Sequence, residues 1–286
     1  MSLGIFKKEN LISAWNAYFA YNVPDLYPLL VGHNTKAQED YAQYSELDSI
    51  YQSSFVNETC NDPKFGMGIF SDGGSPADGY MDPNSHFCHA KSNSCNINNI
   101  AHRLYFNIGP QRIGFARALT YLCVERNIPF YFKWSKDGAR ADNIVIYLEQ
   151  DQIAPTCKAI QDIAELHPDL TQSNRDLPMS AEDCGWFGYG VEDHDHTKSF
   201  SRKVTNARIR AFDDICKSYD YSREKINSVI SNPELSEQFV SYMEYMVAQR
   251  FEMENIPTSL NEQLPAEIKQ LMNLREYYRD QEMNPQ

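Results

Sequence analysis

Arg103-Leu-Tyr-Phe-Asn-Ile108, closed by Gly109-Pro110, is the stretch on which the fold turns. Its residues favour an extended chain, and the Gly-Pro pair ends it because proline is pre-set for the first turn of a helix. Ile113, Ala116, Leu119, Thr120 and Cys123 follow at helical spacing, so a strand passes directly into a helix. Downstream, Ile128-Pro-Phe-Tyr-Phe-Lys133 and Asn143-Ile-Val-Ile-Tyr-Leu148 predict two more strands. The polar, glycine-bearing Ser135-Lys-Asp-Gly-Ala-Arg-Ala141 between them fits a hairpin with an irregular loop. Pro155 then opens a helix to about Leu166, and Gly185-Trp-Phe-Gly-Tyr-Gly190 is short and glycine-rich, with a backbone suited to close approach by a ligand.

Outward from this centre the chain turns helical. Leu11, Trp15, Tyr18 and Phe19 repeat at helical spacing, and residues 1–56 read as a helical cap. Residues 57–99 are dense in Gly, Asp, Asn, Ser and Pro, most of all at Phe70-Ser-Asp-Gly-Gly-Ser-Pro-Ala-Asp-Gly79, and read as a long loop or insertion. Residues 100–216 form the α/β core and 217–286 the C-terminal helices, broken at Pro233, Pro257 and Pro265. In that last part Phe239, Met243, Met246 and Val247 make an apolar stripe, read as core. The fold class expected is α+β: one domain of 286 residues, with a small, mainly antiparallel sheet flanked by helices.

Composition narrows function. With 26 Lys+Arg against 39 Asp+Glu, the formal charge of -13 excludes a general nucleic-acid binder, and any anion site must be local. No apolar run approaches the roughly 20 residues that span a bilayer, and Met1 to Glu9 lacks a signal-peptide core, so a soluble protein with no membrane partner is expected. Seven cysteines, spread widely and without a CxxC pair, read as reduced thiols of a cytoplasmic protein.

Parity along the strands gathers a candidate site. Arg103 and Tyr105 share one face of their strand, while Leu104 and Phe106 point to the other, as does His102, which reads as structural. Lys133 closes the second strand, Arg140 precedes the third and Tyr147 lies on it. Paired strands bring two guanidiniums, an ammonium and two phenols over one patch. Arginine offers a planar fork for phosphate oxygens, and lysine becomes a base when its charged form is disfavoured. Such a patch suits β-elimination from phosphoserine or phosphothreonine, with no metal and no cofactor.

The three segments Arg103-Leu-Tyr-Phe-Asn-Ile108, Ile128-Pro-Phe-Tyr-Phe-Lys133 and Arg140-Ala-Asp-Asn-Ile-Val-Ile-Tyr147 resemble the HopA-type family, first named for type III secretion effectors of plant pathogens. Gly188-Tyr-Gly190 leading to Ser199-Phe200 and an Arg-rich helix start is similar to the family's glycine loop and Ser-Phe element, and the resemblance runs from Arg103 to Asp214. That family is similar in fold to bacterial phosphothreonine lyases, and related proteins occur in clusters that build dehydrated, lanthipeptide-like peptides after a kinase has acted. The resemblance implies a phospho-Ser/Thr lyase whose substrate is a phosphorylated peptide or protein, with Lys133 as base and Arg140 plus Arg208 or Arg202 as phosphate ligands, Arg103 and Tyr147 beside them. Where the lyases carry Lys-x-His, this chain has Arg103-x-Tyr105, which makes Tyr105 the candidate acid; where they carry a lysine two residues past the third-strand tyrosine, it has Glu149.

Two other readings compete. His86-Phe-Cys-His89 and Glu192-Asp-His-Asp-His196 contain ligand types for zinc, which would make a metal-dependent hydrolase. The same patch without catalysis would make a phosphopeptide-binding module or a HopA-like effector acting in a host cell.

Overall fold

The computed structural model describes residues 3, 6–20, 67–71, 87–135, 141–172, 177–178, 181–192, 200–219 and 233–283. Seven strands form one sheet: β1 (Met67–Ser71), β2 (Phe87–Ser92), β3 (Ile100–Phe106), β4 (Tyr131–Ser135), β5 (Ile144–Glu149), β6 (Glu182–Asp183) and β7 (Gly188–Val191). Their order is β1-β2-β4-β5-β3-β7-β6, with every neighbouring pair antiparallel. Six α-helices are described: α1 (Lys8–Ala20), α2 (Arg112–Glu125), α3 (Ile153–Leu166), α4 (Phe200–Tyr219), α5 (Pro233–Met253) and α6 (Ala266–Met283). The class is α+β.

Local chemistry explains the central units. Gly109 sits at φ 54, in the left-handed region that favours glycine, and starts the short 3-10 turn from which α2 grows. Arg112 at the head of α2 is buried, and its Nε donates to the Ser135 carbonyl at 2.6 Å, tying the helix to the end of β4. At the other end of α2, Asn127 takes φ 54 and the Ile128 amide reaches back to the Cys123 carbonyl at 2.8 Å, a Schellman-type stop that turns the chain into β4. β4 and β5 then pair as a hairpin, Tyr131 opposite Tyr147 and Lys133 opposite Val145, and β3 lies on the other side of β5. β5 is buried along its whole length, as a central strand should be.

The main core lies on one face of this sheet. Leu104 and Phe106 of β3, Phe132 and Trp134 of β4, and Ile144, Ile146 and Leu148 of β5 point into it, and α2 and α3 contribute Ala116, Leu119, Ile160 and Ile163. The chain ends close on each other: Trp15 of α1 meets Phe212 of α4 at 4.9 Å and Phe239 of α5 at 5.3 Å between ring centres. Phe239, Met243 and Val247 are buried, so the apolar stripe of α5 is core.

One segment differs from expectation. Residues 57–99, read as a loop or insertion, supply β1 and β2, and β2 lies inside the sheet between β1 and β4. The inward positions of β2 are Cys88 and Ala90, both fully buried, and the outward ones are His89 and Lys91. Small inward residues give alternation without the bulk that marks a strand in sequence. The rest of the helical cap, residues 21–56, lies outside the described residues.

Candidate functional site

Opposite residues on paired strands point to the same side of a sheet. On the face away from the main core, one row across the strands reads His89, Lys133, Val145, Tyr105 and Gly188. The next row reads Lys91, Tyr131, Tyr147, Arg103 and Gly190. Lys133, Arg103, Tyr105 and Tyr147, chosen from sequence, therefore share one face. Lys133 and Tyr105 both flank Val145, which sets their backbones two interstrand spacings apart, about 9–10 Å. His89, Lys91 and Tyr131 complete the face, and Arg140 lies outside the described residues.

Contacts run across the face from strand to strand. The Tyr131 and Tyr147 rings stack at 4.4 Å, and the Arg103 guanidinium lies 4.9 Å from the centre of the Tyr147 ring. Arg103 also makes an ion pair with Glu192, with side chains 15% and 9% exposed. Burial alone would lower the guanidinium's affinity for its proton, but Tyr105, Tyr147 and Glu192 outweigh it and hold the group above its ordinary range. An incoming phosphate must therefore compete with a carboxylate that Arg103 already holds. Lys133 extends over Phe87, with Nζ 3.8 Å from the ring centre, a cation–π contact at the edge of the face.

Tyr105 is almost sealed. It is 3% exposed, and a Cβ on Gly190 would meet its ring at 2.9 Å. Gly190 thus makes room for Tyr105, and Gly188 for Ala181, whose Cβ an added Cβ would meet at 2.8 Å; the expected role of these glycines was close approach to a ligand. Burial pushes the phenol above its ordinary range, opposed by Arg103 and by Ser201 at the start of α4. Its hydroxyl lies beside these two groups, yet among the described residues it makes no hydrogen bond of good geometry.

The two late arginines part company on α4. Ser201, Thr205 and Arg208 form one buried stripe at helical spacing, and the Ser201 end of that stripe meets Tyr105. Arg208 is fully buried, which lowers it to about 9 through loss of hydration. Arg202 is exposed, one residue off the stripe. Glu149 is a structural residue: it accepts from the Asn96 amide at 2.9 Å and from Gln152 Nε2 at 2.6 Å, closing a capping box after β5. His102 is held on the core side, with Nδ1 2.7 Å from the Tyr189 hydroxyl and Nε2 2.8 Å from Gln150 Oε1.

His89 is the residue that sequence reasoning placed elsewhere. It stands directly opposite Lys133, and its Nδ1 lies 2.9 Å from the Tyr131 hydroxyl. Its neighbour Cys88 points into the main core, so the two cannot converge on one ion as ligands from a loop would. Glu192 is paired with Arg103, while His86 and residues 193–199 lie outside the described residues.

A basic and phenolic face on a sheet in an acidic chain can hold an anionic group over Lys133. No family model matches the chain, and no curated protein matches it. Among solved structures the chain is similar to an effector protein from Pseudomonas syringae pv. syringae strain 61, at 12% identity and a TM-score of 0.44, over 72% of this chain and 89% of that one. It is also similar to an effector protein from Pseudomonas syringae pv. tomato strain DC3000, at 14% identity and a TM-score of 0.40, over 71% of this chain and 88% of that one. No helix among the described residues is long and apolar enough to cross a membrane.

Proposed function

We propose that the chain is a phosphoserine/phosphothreonine lyase-like protein that takes a phosphorylated peptide onto the polar face of its sheet and removes phosphate by metal-independent β-elimination. The observation that carries the reading is the placement of Lys133 on one face with Arg103, Tyr105, Tyr131 and Tyr147. Lys133 is the base: its neutral amine takes the α-proton of the phosphorylated residue, the C–H electron pair becomes the new double bond, and the Cβ–O bond breaks with its electrons leaving on phosphate. Arg140 with Arg208 or Arg202 supplies the phosphate ligands of this proposal; Arg208 is fully buried and Arg202 is exposed. The substrate class is a peptide phosphorylated by a partner kinase, as in lanthipeptide-like modification.

A second reading is favoured by the Arg103–Glu192 pair and the burial of Tyr105, which remove two groups from direct contact with substrate. In it the face binds a phosphopeptide and performs no chemistry.

One assay separates these readings. Purified protein is incubated with phosphoserine and phosphothreonine peptides, with and without chelator, and product mass is read. Loss of the elements of phosphoric acid, undiminished by chelator and abolished in Lys133→Ala, is expected. Loss of the phosphoryl group alone, in a chelator-sensitive reaction, would mark a metal-dependent phosphatase, and unchanged but bound peptide would mark the module.

A further inference from the structure

Elimination leaves phosphate needing a proton, and among the described tyrosines of the face only Tyr131 is placed to give it. Tyr105 is closed off by Gly190 and the start of α4. Tyr147 is buried, its ring held between Tyr131 and Arg103. Tyr131 is half-buried, lies two residues from Lys133 on the same face of β4, and has a histidine behind its hydroxyl. The His89 ring stacks on Tyr131 at 5.9 Å and 27° as well as meeting its hydroxyl, so the phenol is fixed in direction. His89 itself is 7% exposed and acts through Tyr131.

Resting on the lyase reading above, we propose that Tyr131 is the proton donor to the departing phosphate, and that His89 is the positioning residue that orients its hydroxyl and stabilises the phenolate left behind. A neutral imidazole is able to play either part in this bond. With the proton on Nδ1 it donates to the Tyr131 oxygen and leaves the phenol hydrogen pointing outward for a phosphoryl oxygen. When that hydrogen has gone to phosphate, the Nδ1–H stays on the ring and stabilises the phenolate through the same hydrogen bond. Lys133 gains the α-proton in the same cycle, phosphate leaves as the hydrogen phosphate dianion, and exchange with water returns the proton from the lysine ammonium to the Tyr131 phenolate. Atoms and charges balance with no further reactant.

The charged and titratable groups facing this dyad, among the described residues, are Lys91 and Lys133 on β2 and β4, Tyr147 and Glu149 on β5, and beyond them Arg103 with Glu192. Both lysines flank the dyad, and the nearest described carboxylates on this face, Glu149 and Glu192, are engaged by Gln152 with the Asn96 amide and by Arg103. An anion is thus drawn to the Tyr131 side of Lys133.

The test uses the full chain and a phosphothreonine peptide, with phosphate release followed across pH and product mass checked. Tyr131→Phe is expected to lower kcat about a hundredfold, within the range for loss of a general acid, while KM changes little. His89→Gln replaces the imidazole by an amide that hydrogen-bonds but does not titrate, and its fall in rate at high pH is expected to shift relative to wild type. Peptide binding and melting temperature, read on the same variants, stay near wild type. In the Lys133→Ala variant, which holds the peptide without turnover, the ring nitrogens of His89 are expected to shift in NMR spectra on adding peptide, and this response vanishes when Tyr131→Phe is added. Wild-type kcat and pH profile in both Tyr131→Phe and His89→Gln, with activity still lost in Lys133→Ala, overturns the inference and leaves the lyase reading standing; so does a loss confined to Tyr105→Phe. No elimination by the wild-type chain overturns both.

Discussion

Arg103 and Glu192 show how a single pair redistributes the work of the site. Each is largely buried, so each needs the other, and taking away one leaves a lone charge out of water. Glu192→Gln is therefore expected to destabilise the fold by about 3 kcal/mol, from the cost of leaving one member of a buried pair unopposed. Replacing both, as Arg103→Met with Glu192→Leu, is expected to recover most of that loss. Denaturant midpoints of the single and double variants measure it; additive losses would show that the two side chains do not act as a pair. Tyr105 depends in the same way on an absent side chain, since Gly190 leaves the space that its ring fills.

At the level of elements, Glu149 illustrates a position where structure replaces chemistry. Its carboxylate caps the turn after β5 and holds the Asn96 amide before β3, joining two segments far apart in the chain. Glu149→Ala is expected to cost about 1–2 kcal/mol, as losses of helix caps do, visible as a lower denaturant midpoint with phosphopeptide binding retained. A loss of binding without loss of stability would contradict this assignment. The strands that sequence made legible are those with bulky, β-branched or aromatic residues: β3, β4, β5 and the turn at Gly109-Pro110. β2 was not legible, because its inward residues are Cys88 and Ala90 and its outward ones His89 and Lys91. Missing β2 hid His89, whose place opposite Lys133 follows only once the strand is known. Parity alone was enough to put Lys133, Arg103, Tyr105 and Tyr147 on one side. It was not enough to show that Glu192, reached through β7, neutralises Arg103, because that contact joins residues distant in sequence.

For the whole molecule, the two faces of the sheet divide the labour. One carries the main core, closed by helices, with α1 packed on α4 and α5 at the chain ends. The other carries lysines, arginine, histidine and phenols on a chain of net charge -13, where undirected charge would favour acids. On the proposed function, this second face receives a phosphoryl group over Lys133. A crystal structure of the full-length Lys133→Ala variant with a phosphothreonine peptide tests it most directly. Phosphate density is expected on the polar face above β4 and β5, with an oxygen within hydrogen-bond reach of Tyr131. Phosphopeptide bound anywhere else on the molecule, with that face bare, would contradict it.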